Sequence, residues 1–259
     1  MQTLTVVTVT AFDWERLRIT LNSMPKIKIN IEHILVCPRT DYKTQSIWKK
    51  HIEGINYENK LILDDNSGIY KAMNYGASFS SGRFISFWNS GDKLISVKSL
   101  NKIIDHLSIS NLDYIYHQGK FPWLSESLMS PENLQKFITH EEKSYICHQL
   151  LMVRGTIFNE LKGFDVRLKV ASDIKMITEL AVNYRGNFLT SKLLEVEIPK
   201  FSSENHRRAR LESYLVAIVL LPFRLKVKVL LNIFRTEFSF LINKIAKILE
   251  KKRGNLIDK

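Results

Sequence analysis

The sequence predicts an α/β fold with a mainly parallel central sheet flanked by helices, followed by a basic amphipathic helical extension. Three observations carry this. Short Val- and Ile-rich apolar runs alternate with stretches of helical periodicity, the pattern of parallel strands joined by crossover helices. A chain of 259 residues, 45% of them hydrophobic, can bury one sizeable core. The net charge of +12 is concentrated late: between Arg207 and Arg253 twelve basic residues stand against Glu212, Glu237 and Glu250, so nine of the twelve net charges lie there. Residues 1–200 are therefore expected to form the α/β domain and 201–259 the helical tail.

The elements follow in order. Leu4–Thr10 is rich in Val and Thr and suits a buried first strand. Asp13 is placed to cap the next helix, whose core face is marked by Leu17, Leu21 and Met24. Ile31–Cys37 reads as a second strand, parallel to the first through a right-handed crossover. A helix from Lys43 to about Glu53 leads to a strand at Lys60–Leu63 and a polar turn, Asp64–Gly68. An amphipathic helix with Ile69, Ala72, Met73 and Ala77 inward ends at a Ser-Ser-Gly break, and Arg83–Trp88 is the next strand. Helical periodicity over Val97–Leu107 and a strand at Asp113–Tyr116 complete a sheet of about five strands. Gln118–Ser144, with Pro122, Trp123 and Pro131, is irregular, either a flap or a structural excursion.

The strand Arg83–Trp88 stops on Asn89-Ser90-Gly91-Asp92. That places polar side chains at the carboxyl edge of the sheet, where open α/β folds bind ligands. Gly91 allows a sharp turn, after which Asp92 can offer oxygens to Mg²⁺ or Mn²⁺. An Asx-type turn with a solvated Asp92 is the plainer alternative.

GIYKAMNYG, a Gly-bearing break, an apolar strand and FWNSGD, in this order, resemble bacterial family 2 glycosyltransferases of the colanic acid, capsule and O-antigen type. The resemblance extends upstream to VVTVTAFDWERLRITLNS (Val6–Ser23) and downstream to CHQ (Cys147–Gln149), GFD (Gly163–Asp165) and ASD (Ala171–Asp173), covering roughly the first two hundred residues. It implies the GT-A fold and an inverting hexosyltransferase acting on a nucleoside diphosphate sugar, a UDP-sugar in the first instance. By the same resemblance Thr8, Thr10, Asp64, Asn66, Tyr70, Asn74, Asn89 and Asp92 bind the nucleotide sugar, His148 and Gln149 face the acceptor, Asp92 holds the divalent metal, and Asp173 is the general base.

From its own surroundings His148 reads as a core histidine, which the resemblance raises to an even choice with an acceptor contact, and Asp173, opening a helix that runs to about Val182, reads as a cap, over which GFD and ASD together favour catalysis. Four positions depart from the resembled pattern. Cys37 stands where a nucleobase-contacting Asp is usual, Lys71 replaces the Asp of GIYDAMN, and Asn89 and Gly91 replace two acidic residues of the DxDD-type run, leaving Asp92 alone. A cation there would depend mainly on donor phosphates and water.

After Pro199 the chain reads as two or more helices, apolar on one side and basic on the other. Its longest uninterrupted apolar run, Tyr214–Phe223, contains Pro222 and falls short of the ~20 residues that span a bilayer. Two roles fit: binding to an anionic membrane surface, consistent with a polyprenyl-diphosphate-linked saccharide acceptor, or packing on the domain, including homodimerisation. The N-terminal MQTLTVVTVT lacks a basic n-region, so no signal peptide is expected, and Cys37 and Cys147 read as reduced thiols. The expected location is the cytoplasm, peripheral on the inner face of the plasma membrane. Nucleic acid is not an expected partner, because the basic residues lie on apolar helices and no recognised RNA or DNA motif occurs. A non-catalytic membrane-associated scaffold with a glycosyltransferase-like domain is the alternative, and a nucleotidyltransferase would leave CHQ, GFD and ASD unexplained.

Overall fold

The computed structural model describes residues 2–24, 29–122, 134, 136, 138, 139, 147–197 and 205–235. Most of the irregular Gln118–Ser144 stretch, the 200/201 boundary and the tail beyond Arg235 lie outside the described residues.

Strand β1 (Leu4–Val9) is wholly buried and lies between β2 (Ile31–Pro38) and β4 (Phe84–Asn89), parallel to both. β3 (Glu58–Asp64) extends the parallel set beyond β2. On the other side come β7 (Leu151–Arg154), antiparallel to β4, then β6 (Tyr114–Lys120) and β8 (Gly186–Glu195), parallel to each other, and last the two-residue β5 (Lys93–Leu94). The order is β3-β2-β1-β4-β7-β6-β8-β5, eight strands where the sequence pattern predicts about five. The strands beyond that pattern carry weak signals. β5 and β7 are short, and β8 is largely half-exposed with two register shifts against β6.

Helices α1 (Trp14–Ser23) and α2 (Tyr42–His51) cover one face. Alternation along β2 shows this: Leu35 packs with Leu17, Leu21 and Trp48, while its neighbours Ile34 and Val36 join the larger core. That larger core gathers α3 (Ile69–Ala77), α4 (Val97–Ile109), α5 (Gly155–Glu160) and α6 (Ser172–Asn183). Two local expectations are corrected. Ile69 is 38% exposed and Tyr70 takes the inward position, because the α3 face is turned toward a loop as well as the sheet. Asp13 occupies the N-cap of α1, yet its side chain makes no cap bond; only its carbonyl accepts, from Leu17 N.

The first tail helix, α7 (His206–Leu220), packs against α6, and a further helix covers 223–235. Ala217, Leu221 and Val229 form a small core with Ile138. The opposite side of the two helices leaves Leu211, Leu215, Val219, Phe223 and Phe234 59–80% exposed. No helix among the described residues is long and apolar enough to cross a membrane.

Candidate active site

The carboxyl ends of β1, β3 and β4 and the start of β7 come to the same edge of the sheet, because β7 runs antiparallel to β4. At this edge the NSGD turn is held from several sides. Ser90 Oγ donates to Val9 O (3.3 Å), Gly91 N donates to Thr20 Oγ1 (2.9 Å), and Gly91 adopts φ +101° beside Glu197. Asp92 is completely buried. Its Oδ2 accepts from Asn89 N (2.7 Å) and its Oδ1 from Glu197 N (3.0 Å), so the carboxylate ties the turn to the segment that follows β8. Burial pushes its pKa up to about 6, against the pull of these amides, His148 and the Gln149 side chain. The solvated Asx-turn alternative is thereby excluded.

Asn89 Oδ1 and Gln149 Oε1 are buried near this turn without a hydrogen-bond partner. With Asp92 they supply oxygen donors of the kind a hard cation prefers. Among the described residues no group of three or more His, Cys, Asp or Glu side chains forms a metal cage. The residues present therefore fit a cation that takes most of its ligands from phosphate and water.

The second part of the site is built by α3. Tyr70 and Asn74, four residues apart, share a helix face that meets the segment carrying GFD and ASD. Asn74 clamps Phe164, its Oδ1 accepting from Phe164 N and its Nδ2 donating to Phe164 O, both at 2.8 Å. Gly163, at φ +67°, leaves no room for a side chain, since a Cβ would lie 2.5 Å from Asn74 Oδ1. Phe164 is the aromatic hub of the region, with ring centroids 4.9 Å from Phe87, 5.4 Å from Tyr70, 5.6 Å from Phe158 and 6.1 Å from His148.

Asp173 lies in the first turn of α6. Its Oδ1 accepts from Ile174 N (2.9 Å) and lies 3.1 Å from the Tyr70 hydroxyl, which also reaches Val170 O at 2.6 Å. Burial and the adjacent Asp173 hold the Tyr70 phenol far above its ordinary pKa, so it stays a neutral donor. Asp173 Oδ2 meets His148 Nδ1 at 3.2 Å. His148 and Gln149 belong to a 3₁₀ turn (His148–Leu150) leading into β7, both buried, with His148 Nε2 unpartnered.

The structure thus brings Asn89, Asp92, His148, Gln149, Tyr70 and Asp173 together, with Thr10 and Asp64 at the same sheet edge. Thr10 Oγ1 and Asp64 Oδ1 are buried there without partners, and Asn66 is exposed in the adjoining loop at φ +53°. Two of the expected nucleotide-sugar contacts already make contacts within the protein. Thr8 is wholly buried and its hydroxyl lies 3.0 Å from His33 Nε2, inside the α1/α2 layer. Asn74 uses one donor and its oxygen to clamp Phe164. Cys37 is a buried thiol pushed up to about 12 by burial and by Asp41 and Asp64, an apolar neighbour to this edge.

Three further residues shape the site. Asp41 caps α2 through Thr44 N (3.1 Å) and also accepts from Phe12 N and Trp14 Nε1, both at 2.8 Å, fastening the β1–α1 loop. The TDYKT run, a capping Asp three residues before Thr44, carries a signal for it. Glu212, on α7, accepts from Lys169 N (3.2 Å), Val170 N (2.9 Å) and Ala171 N (3.0 Å), and so anchors the backbone just before Asp173. Ser172 Oγ is buried beside Asp173 without a partner. Ser172 is the middle residue of ASD, while Glu212 has no local sequence signal.

At the level of sequence, comparison with protein families gives no match, and comparison with curated proteins gives none either. Solved structures do match. S. aureus TarS 1-349 in complex with UDP-GlcNAc superposes with a TM-score of 0.69 at 16% identity, over 90% of this chain and 73% of that one. The mannosyltransferase PcManGT from Pyrobaculum calidifontis, in complex with GDP-Man and Mn²⁺, gives 0.62 at 15% identity, over 89% and 69%. A second S. aureus TarS structure gives 0.67 at 17% identity, over 92% of this chain and 44% of that one. The mixed α/β fold of this chain, an eight-stranded sheet flanked by helices, is the GT-A-like fold of these structures.

Proposed function

We propose that this chain is an inverting glycosyltransferase that moves a hexose or N-acetylhexosamine from a nucleoside diphosphate sugar, UDP-linked in the first instance, to a hydroxyl of a lipid-linked saccharide in surface polysaccharide assembly. One observation carries the reading. Buried polar atoms without protein partners, on Thr10, Asp64, Asn89, His148, Gln149 and Ser172, line the carboxyl edge of a GT-A-like fold. Unpaired buried polar atoms are costly, and a polar ligand offsets that cost. The neighbours' ligands, UDP-GlcNAc and GDP-Man, are of the class such an edge would hold.

In this reading Thr10 and Asp64 serve the nucleotide end of the donor, Asn89 and Asp92 the diphosphate, and the Asp173–His148 pair the acceptor hydroxyl. Mg²⁺ or Mn²⁺, held by Asp92 with Asn89, would supply Lewis-acid stabilisation of the departing diphosphate. Asp92 keeps the NSGD backbone in place, and Tyr70 fixes Asp173. A single in-line displacement inverts the anomeric centre, so an α-linked donor gives a β-linkage; an α-linked product by NMR would contradict this. Asp173→Asn is expected to lower kcat by about 10²–10⁴-fold with UDP binding retained. Full transfer by that variant would remove Asp173 from the reaction, whereas a folded wild type that transfers no sugar and binds no nucleotide would favour the scaffold reading.

The tail fits an anionic membrane surface. Leu211, Leu215 and Val219 repeat every four residues on the exposed side of α7, and Phe223 continues the apolar surface, with Arg207, Arg224 and Arg235 exposed nearby. An apolar stripe bordered by guanidinium groups is what an interfacial helix presents to anionic lipid. In this reading the acceptor's lipid carrier and the catalytic edge meet at one membrane face, and homodimerisation through the same helices is the competing occupant.

A further inference from the structure

The geometry points to His148, not Asp173, as the group that takes the acceptor proton, with Asp173 as its positioning residue. This deepens the transferase reading and rests on it. Both oxygens of Asp173 are already engaged: Oδ1 accepts from Ile174 N and faces the Tyr70 hydroxyl, and Oδ2 lies 3.2 Å from His148 Nδ1. His148 has one engaged nitrogen and one free one. Among the described residues its Nε2 is buried without a partner, beside Gln149, whose Oε1 is also unpartnered. A carboxylate acceptor at Nδ1 selects the tautomer with the proton on Nδ1, which leaves Nε2 as a lone-pair acceptor. Phe164, edge-on to the imidazole, and Tyr70, behind Asp173, fix the orientation of the pair.

The step balances as follows. The acceptor oxygen forms a bond to the anomeric carbon, the carbon–oxygen bond to the diphosphate breaks with its electron pair leaving on the diphosphate, and the hydroxyl proton passes to His148 Nε2. The resulting imidazolium stands against the Asp173 carboxylate, which stabilises it without accepting the proton. Asp173→Asn would then act through His148, by reversing the Nδ1 hydrogen bond and leaving the ring proton on Nε2, which then cannot take one from the acceptor.

Two measurements test this on the full chain. The first needs no turnover: long-range ¹H–¹⁵N correlation of ¹⁵N-histidine-labelled protein at pH 8, with His148 assigned by loss of its signals in His148→Gln. Protonated Nδ1 with bare Nε2 is expected, changing in Asp173→Asn; a proton on Nε2 in the wild type would overturn the proposal. The second is transfer by His148→Gln and His148→Ala, with UDP affinity followed alongside. A loss in kcat of about 10²–10⁴-fold, little change in UDP affinity and partial recovery of His148→Ala by added imidazole are expected. Near-normal kcat in His148→Gln, whether or not Asp173→Asn is inactive, would overturn the proposal while sparing the transferase reading; a folded wild type without transfer would instead sink the transferase reading on which the proposal rests.

Discussion

At the residue scale, motif residues do two kinds of work that the sequence does not separate. In GIYKAMNYG, Tyr70 supports Asp173 while Asn74 is spent on holding Phe164. Gly163→Ala must place a methyl group 2.5 Å from Asn74 Oδ1 at positive φ, so it is expected to cost about 1–3 kcal/mol of stability, read as a lower urea midpoint. An unchanged midpoint would mean the clamp yields freely. The same ambiguity explains Thr8: a threonine at the end of a strand reads as a ligand contact until its buried partner, His33, is known. His33 was not legible as a special residue because its environment is assembled from α2, whose Trp48 and His51 pack around it. Burial, aided by His51, lowers the His33 pKa to about 3, and burial lowers His117 to about 4. Both are then neutral in the fold and bind protons more tightly when unfolded. Their contribution is intact above about 6.5 and is lost as the pH falls toward those values. Asp92, raised to about 6, works in the opposite sense between its ordinary value and 6. The urea midpoint is expected to fall from pH 7 to pH 5, and to fall less in His33→Gln; equal slopes would contradict the assignment.

At the scale of elements, the parallel half of the sheet was legible because each of its strands is either a compact apolar run or follows a clear helix. The antiparallel half was not. β8 is mostly half-exposed and irregularly paired, so its alternation is blurred, and the 3₁₀ turn that positions His148 reads in sequence as part of one continuous strand with Leu151. The clearest gain from the structure concerns α7. Its composition marks it as tail, yet Glu212 gathers three backbone amides of 169–171 and the Arg208 guanidinium, so the helix holds the entry to α6 and thereby Asp173. Glu212→Ala leaves those buried amides unpaired, at about 1–3 kcal/mol. It is expected to lower both stability and transfer, with UDP affinity nearly unchanged because Glu212 bonds the 169–171 backbone and Arg208 rather than the residues proposed for the nucleotide. Wild-type turnover in that variant would show that α7 is dispensable to the catalytic geometry.

At the scale of the molecule, a GT-A-like domain and a helical pair with one packed and one exposed side form the described whole. The exposed side accounts for charge and apolarity together, and it gives a separable prediction. Leu215→Asp combined with Val219→Asp should abolish sedimentation with phosphatidylglycerol vesicles while leaving UDP binding intact, and wild type should not sediment with phosphatidylcholine alone. Sedimentation unaffected by the substitutions would assign that face to another partner. The account as a whole depends on the carboxyl edge being a donor site. The most direct test is calorimetric titration of the full chain with UDP and with GDP, each with and without Mn²⁺, alongside Asp92→Asn. UDP binding that strengthens with Mn²⁺ and loses that gain in Asp92→Asn is the predicted result; a folded protein that binds neither nucleotide under any of these conditions would contradict it.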